Sequence, residues 1–171
     1  MTTNDAASDF TATQAGGHER RARIETTVNS LIRERQEVLV AYGKLARLKS
    51  FDDLDFDDAD DEQEEKRARA SDVRTFLQLL MDYTALGHFE IYQRIIEGKE
   101  RRQTVKEASD RVYPGIAQTT DKIVDFNDKY DRFAATDEEL LTFDRDISEI
   151  GEVLAVRGEL EDEILAALQK K

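Results

Sequence analysis

The chain has 171 residues, no cysteine and one proline, and its 38 acidic residues outnumber 25 basic ones to give a formal charge of −13. That length suits one domain, and the missing thiols exclude a disulfide framework, a cysteine nucleophile and a thiolate metal site. So acidic a chain is a poor match for a phosphate backbone, which rewards clustered Lys and Arg, so direct nucleic-acid binding is not expected and a basic protein is the better partner. The N-terminal stretch MTTNDAASDFTATQAGG lacks a basic start and a continuous apolar run, and no segment is apolar enough to span a bilayer, so a cytoplasmic protein with no membrane contact is the expectation.

In chain order, residues 1–17 are small and polar, with too few large apolar groups to offset the entropy of ordering, and read as a disordered tail. Residues 18–171 read as a single helical-bundle domain. From Ile24 the stripe Ile24, Val28, Leu31, Arg35, Val38, Tyr42, Leu45 advances by alternating steps of four and three, which places it on one face of a helix over roughly His18 to Leu48. The acidic segment at 50–66 follows as a loop. Its residues 51–65 hold ten acidic side chains and no basic one, so most of the net charge describes this segment. A short helical piece near Asp61 to Arg67 is expected within it.

A second helix carries Val73, Phe76, Leu77, Leu80, Tyr83 and Thr84 and is expected to stop at Gly87, with a brief element from His88 to Ile96 beyond. Pro114 cannot donate a backbone hydrogen bond and is expected to start the next helix, whose stripe is Ile116, Thr119, Ile123, Phe126, Tyr130, Phe133. The last helix opens at Thr136, where Thr-Asp-Glu-Glu fits a capping box, and its seam is Leu140, Ile147, Gly151, Leu154, Gly158, Glu161, Leu165, Leu168. Four long amphipathic segments predict an all-α fold, an up-and-down four-helix bundle with additional short helices.

Charges on these seams set the chain apart from a generic bundle. Arg35 falls on the first seam and Glu161 on the last, with Arg157 one turn earlier. Two readings stay open: arginines at a bundle edge with buried stems and hydrated heads, or a polar cleft between helices in which Arg35, Asp82, Arg157 and Glu161 converge.

Three stretches, VNSLIRERQEVLVAYGKLARLK, LLMDYTALGHFEIYQRII and ISEIGEVLAVRGELEDEIL, resemble the signature regions of the Rsd/AlgQ family of bacterial anti-sigma factors, in the family's order. The resemblance runs from about Arg23 to Ala167 and is weaker between Lys99 and Phe143. It implies a helical protein that binds region 4 of the primary sigma factor of RNA polymerase. Region 4 reads promoter DNA and docks on the core enzyme, so its occupation would favour alternative sigma factors. The residues it points to as partner contacts are Leu31, Arg35, Tyr42, Asp82, His88, Phe89, Tyr92 and Arg94, with Glu152, Arg157 and Glu161 forming a polar cleft. There are two departures: Leu31 stands where the family commonly has Trp, and the acidic segment is more charged than the family's usual connection.

Other readings are weaker. No cofactor or metal is expected: a ferritin-like site needs paired Glu-x-x-His motifs, and Ala85 stands three residues before His88. Tyr42, Tyr83 and Phe89 also suit core or cleft walls, and His88 suits a hydrogen-bonded structural role. No Gly-rich phosphate loop or nucleophile-elbow serine is present, so an enzyme is not expected. The alternative function is an adaptor that regulates a metabolic or stress-response enzyme by binding it, and a hydrolase using Asp82, His88, Arg157 and Glu161 is the third.

Overall fold

The structure, a computed structural model, describes residues 5–47 and 59–170. Four long helices dominate: α1 (Asp5–Arg47), α2 (Ala59–Leu86), α4 (Gln103–Tyr130) and α5 (Asp137–Gln169). Between α2 and α4 the chain continues through a π-helical turn (Gly87–Tyr92) into the one-turn α3 (Gln93–Ile96). No strand occurs among the described residues.

The apolar stripes explain the packing. Val28, Leu31, Val38 and Leu45 of α1 are buried, as are Ile116, Ile123, Phe126 and Tyr130 of α4 and Ile147, Leu154 and Leu165 of α5. Each long helix therefore turns its seam inward, and helices packed this way bury apolar side chains worth about 1.5–3 kcal/mol each. Neighbours run antiparallel: Tyr42 meets Phe76 while Leu31 lies beside Gly87, and Arg111 pairs with Glu163 while Tyr130 bonds Asp146. The helices contact one another around a closed ring, α1 to α2, α2 to α4, α4 to α5 and α5 to α1. The all-helical, up-and-down bundle is thus as expected from the periodicity. One end is filled by aromatic rings, with Phe133 stacked on Phe143 at 4.9 Å and Tyr130 edge-on to Phe143 at 5.2 Å.

Several boundaries differ from expectation. α1 begins at Asp5 and not at His18, so residues 5–17, expected as a disordered tail, are helical. Extending an already nucleated helix costs far less than starting one, and the body of α1 supplies that nucleus. Of the expected acidic loop, residues 50–58 lie outside the described residues, while 59–66 are helical. The expected short piece near Asp61 is simply the start of α2, whose first turn holds Asp60, Asp61 and Glu62, where the helix dipole favours negative charge.

Gly87 does not end a helix. It is buried in the π turn against Tyr92, Arg157 and Leu31, and the chain stays helical to Ile96. The stop falls at Gly98, with φ of 71°, where Gly98 N–H donates to Ile95 O and Lys99 N–H to Arg94 O, both at 3.1 Å. This double bond pattern is a Schellman cap, and its left-handed residue is the glycine. Pro114 also departs from expectation, lying inside α4. Both it and Asp110, whose carbonyl loses its usual donor, are exposed, so the missing bond falls on the solvent-facing side of the helix. The capping box at Thr136 is present as expected: Glu139 N–H donates to Thr136 Oγ1 at 3.4 Å, and Thr136 N–H to Glu139 Oε2 at 2.9 Å.

α1 lies close against α5 because Gly151 and Gly158 line the contact. A Cβ at Gly151 would stand 2.0 Å from the Tyr42 hydroxyl and 2.5 Å from its ring carbon, whereas one at Gly43 would meet nothing within 4 Å. The two glycines should therefore respond with opposite sign. Gly151→Ala is expected to destabilise by about 1–3 kcal/mol through overpacking against Tyr42. Gly43→Ala should stabilise by about 0.5–1 kcal/mol through helix propensity alone. Urea unfolding of both variants checks this, and a stabilising Gly151→Ala contradicts the close approach.

Candidate functional site

In the middle of the bundle the expected polar seam residues meet. Arg157 and Glu161 of α5 are 0% exposed, and Arg157 Nε donates to Glu161 Oε1 at 3.0 Å. Removing two charges from water costs several kcal/mol per ion, so the pair survives only if further bonds satisfy both groups. Those bonds come from every other long helix. Arg157 Nη1 donates to Thr119 Oγ1 at 3.1 Å and to Thr120 Oγ1 at 2.9 Å, both on α4. The Tyr83 hydroxyl of α2 donates to Glu161 Oε2, and the Tyr92 hydroxyl of the π turn donates to Glu161 Oε1 at 3.3 Å. From α1, Arg35 Nη1 approaches Glu161 Oε2 at 3.9 Å and donates to Gly158 O at 3.2 Å and Asp162 Oδ1 at 2.7 Å. The Arg157 guanidinium also lies over the Tyr83 ring, 5.4 Å from its centre.

The electrostatics follow from burial. Desolvation, reinforced by the adjacent Glu161 carboxylate, holds the Tyr83 and Tyr92 hydroxyls well above the ordinary phenol range, so both remain donors. Burial also raises the pKa of Glu161 above its ordinary 4.5, outweighing the pull of Arg157, Tyr83, Arg35 and Tyr92. One Arg157 nitrogen, Nη2, has no hydrogen-bond partner among the described residues and points toward Gly87, 3.6 Å from where a Cβ would stand.

Of the two seam readings, the structure joins Arg35, Arg157 and Glu161 in one network and places Arg35 at its rim, with a side chain 20% exposed. Asp82 does not join them. It is exposed, and it acts on Glu34 of α1, whose pKa is raised first by burial and further by Asp82. Helix geometry explains the miss, because Asp82 directly precedes Tyr83 and a step of one residue turns a side chain by about 100°. Glu152 is likewise exposed and outside the network.

Among the residues expected as partner contacts, Leu31 and Tyr92 are buried at 1% and serve the core. Tyr42 is half-buried, packed on Phe76 and Gly151. His88 and Phe89 are exposed, with the two rings edge to face at 5.0 Å, and no hydrogen bond joins His88 to Asp82 among the described residues. Arg94 is half-buried and lines a 50 Å³ recess with Ile24 and Ile95. The network members that the seam charges alone did not reveal are Thr119, Thr120, Tyr83 and Tyr92. Thr119 had left a signal, being the one polar residue in the first positions of the α4 stripe.

No group of three or more His, Cys, Asp or Glu residues is placed to hold a metal among the described residues, and no helix there is long and apolar enough to cross a membrane. Fold and site together define a helical-bundle protein with a charged pair sealed in its interior and its chemistry-bearing side chains used to hold helices together. The chain belongs to the Rsd/AlgQ family, described as regulators of the RNA polymerase sigma(70) subunit, whose pattern matches residues 12–169. It is 36% identical over 94 residues to a Regulator of sigma D from Yersinia enterocolitica, a match covering 54% of this chain and 56% of that protein. It is 29% identical over 141 residues to the protein of that name from Yersinia pseudotuberculosis serotype O:1b, covering 81% and 76%, and 30% identical over 139 residues to that from Enterobacter sp. (strain 638), covering 81% and 78%. No solved structure matches the chain.

The raised Glu161 pKa makes a signed prediction. Between the ordinary 4.5 and the raised value the folded state holds a proton that the unfolded state has lost, so stability falls as pH rises through that window. Unfolding wild type and Glu161→Gln across acid to neutral pH should show wild type losing stability relative to the variant over this range. A wild type that gains relative stability as pH rises would contradict the burial argument.

Proposed function

We propose that this protein binds the primary sigma factor of RNA polymerase through region 4 and acts by occupying that module, without catalysis. The observation that carries the reading is the family match over nearly the whole chain, residues 12–169. Region 4 must present one surface to promoter DNA and to core enzyme, so a protein seated on it competes with both. A DNA-reading module is basic, and a chain of formal charge −13 is suited to meet it.

The surface that best fits a partner is the outer side of α1 with the adjoining π turn. Leu39, Val40 and Phe89 are large apolar residues left 46%, 75% and 60% exposed, and Glu37 of α1 and Glu90 of the π turn are exposed on the same two elements. Apolar side chains with a charged surround are the usual anatomy of a protein interface. Phe89 therefore keeps the contact role that the resemblance implied, while Leu31 and Tyr92 support the surface from beneath. His88 and the head of Arg35 remain accessible to contribute polar contacts.

Titration of the full chain against isolated sigma region 4 tests the reading. A one-to-one complex is expected, with association slowing as salt shortens the Debye length from roughly 10 Å at 0.1 M to roughly 3 Å at 1 M. Val40→Asp and Phe89→Ala should speed dissociation by about tenfold or more, while neutralising the acidic residues between Asp52 and Glu65 should mainly slow association. Absence of a complex overturns the proposal.

A further inference from the structure

At the end of the bundle away from the aromatic rings, the structure opens a 530 Å³ cleft between the first part of α1, the connection from α3 to α4, and the end of α5. That volume is in the range of small-molecule sites, roughly 300–1,000 Å³. Its charge opposes that of the chain. Arg21, Lys99, Arg101, Arg102 and Lys170 line it, against two carboxylates, Glu25 and Glu100.

One of those carboxylates is already matched. Arg102 holds Glu100 through two bonds of 3.0 Å, and its own backbone N–H donates to the same carboxylate at 2.8 Å. Arg102 also donates to Leu168 O at 2.9 Å, which meets the negative end of the α5 dipole and ties the cleft wall to that helix. Arg21 and Arg101 have no ion pair among the described residues, so their charge is left for a ligand. The 28-residue α4 starts directly after Arg102, its N-cap and a residue of the cleft wall, with no side-chain cap and no acidic residue in its first turn, so its positive end adds to the same field. Between the cations the floor is apolar, built from Ile24, Val28 and Leu168.

We propose that this cleft is a binding site for a small phosphorylated molecule carrying an apolar body. The anionic groups would lie against Arg21 and Arg101, with Lys99, already paired with Glu97 at 2.6 Å, beside them, and the apolar part over Ile24, Val28 and Leu168. The chemistry is selective in both parts: guanidinium groups suit phosphate oxygens in forked geometry, and the apolar floor disfavours a bare hydrated anion. The site is separate from the surface proposed for sigma and does not depend on that reading.

The test uses the full chain labelled for amide NMR, with ATP, inorganic tripolyphosphate and adenosine as probes. ATP is expected to shift resonances of Ile24, Val28, Arg101 and Leu168, and to bind at least about tenfold more tightly than either tripolyphosphate or adenosine, each of which supplies half of the recognition. Arg101→Gln and the pair Arg21→Gln with Arg101→Gln should weaken ATP progressively, while Arg132→Gln, an exposed cation at the opposite end, should not. The wild-type-like spectrum of each variant without ATP establishes that it is folded. The proposal is overturned if ATP shifts no cleft resonance at millimolar concentration, if tripolyphosphate or adenosine binds as tightly as ATP, or if Arg132→Gln weakens ATP as much as Arg101→Gln.

Discussion

The ion pair between Arg157 and Glu161, wholly removed from solvent, is the constraint on which the rest of the bundle depends. Apolar seams alone permit helices to slide or rotate with modest loss, because Leu against Ile is nearly as good as Leu against Val. A buried charge permits no such freedom. Thr119 and Thr120 of α4, Tyr83 of α2, Tyr92 of the π turn and Arg35 of α1 must each arrive at a fixed point, or a desolvated group goes unmatched. The pair thus sets the register of all four long helices at once, even where its net contribution to stability is small.

Local irregularities make sense around it. The π turn keeps Gly87 facing Arg157 and brings Tyr92 onto Glu161, and an irregular helical turn is a common way to re-aim a side chain. Gly151 and Gly158 allow α1 to lie close enough for Arg35 to reach the cluster rim. With the interior fixed, the accessible surface divides into functional regions: Leu39, Val40 and Phe89 along α1 and the π turn, and the cationic cleft at Arg21 and Arg101. The rigid core is what presents both.

Much of this was legible in the sequence because helical periodicity is a local property. The seam of α1, with Arg35, and the capping box at Thr136 were readable, while the α5 seam caught Glu161 but only one of two buried stripes, leaving out Phe143, Ile150, Val153 and Ile164. The helix ends were less legible, since Gly87 and Pro114 each carry a local stop signal that tertiary packing overrides: Gly87 because it is buried beside Arg157, Pro114 because its lost hydrogen bond faces water. Site residues divided along the same line. A residue one step off a seam, such as Asp82, shares its motif with Tyr83 but points to solvent, because that step turns it about 100° away from the buried face. The cleft was illegible for a stronger reason: Arg21, the stretch from Lys99 to Arg102, and Lys170 are far apart in sequence and are gathered only by the packing of the helices against one another.

The central claim is that Arg157 and Glu161 act as one unit that fixes the bundle. A double-mutant cycle with Arg157→Met and Glu161→Met, read by urea unfolding at neutral pH, tests it most directly. Each single substitution should cost about 3–5 kcal/mol, because it strands the other charge in the core. The double variant should cost clearly less than the two together, with a coupling on the order of 2 kcal/mol or more. Costs that simply add would show that the two side chains contribute independently, and would contradict the account.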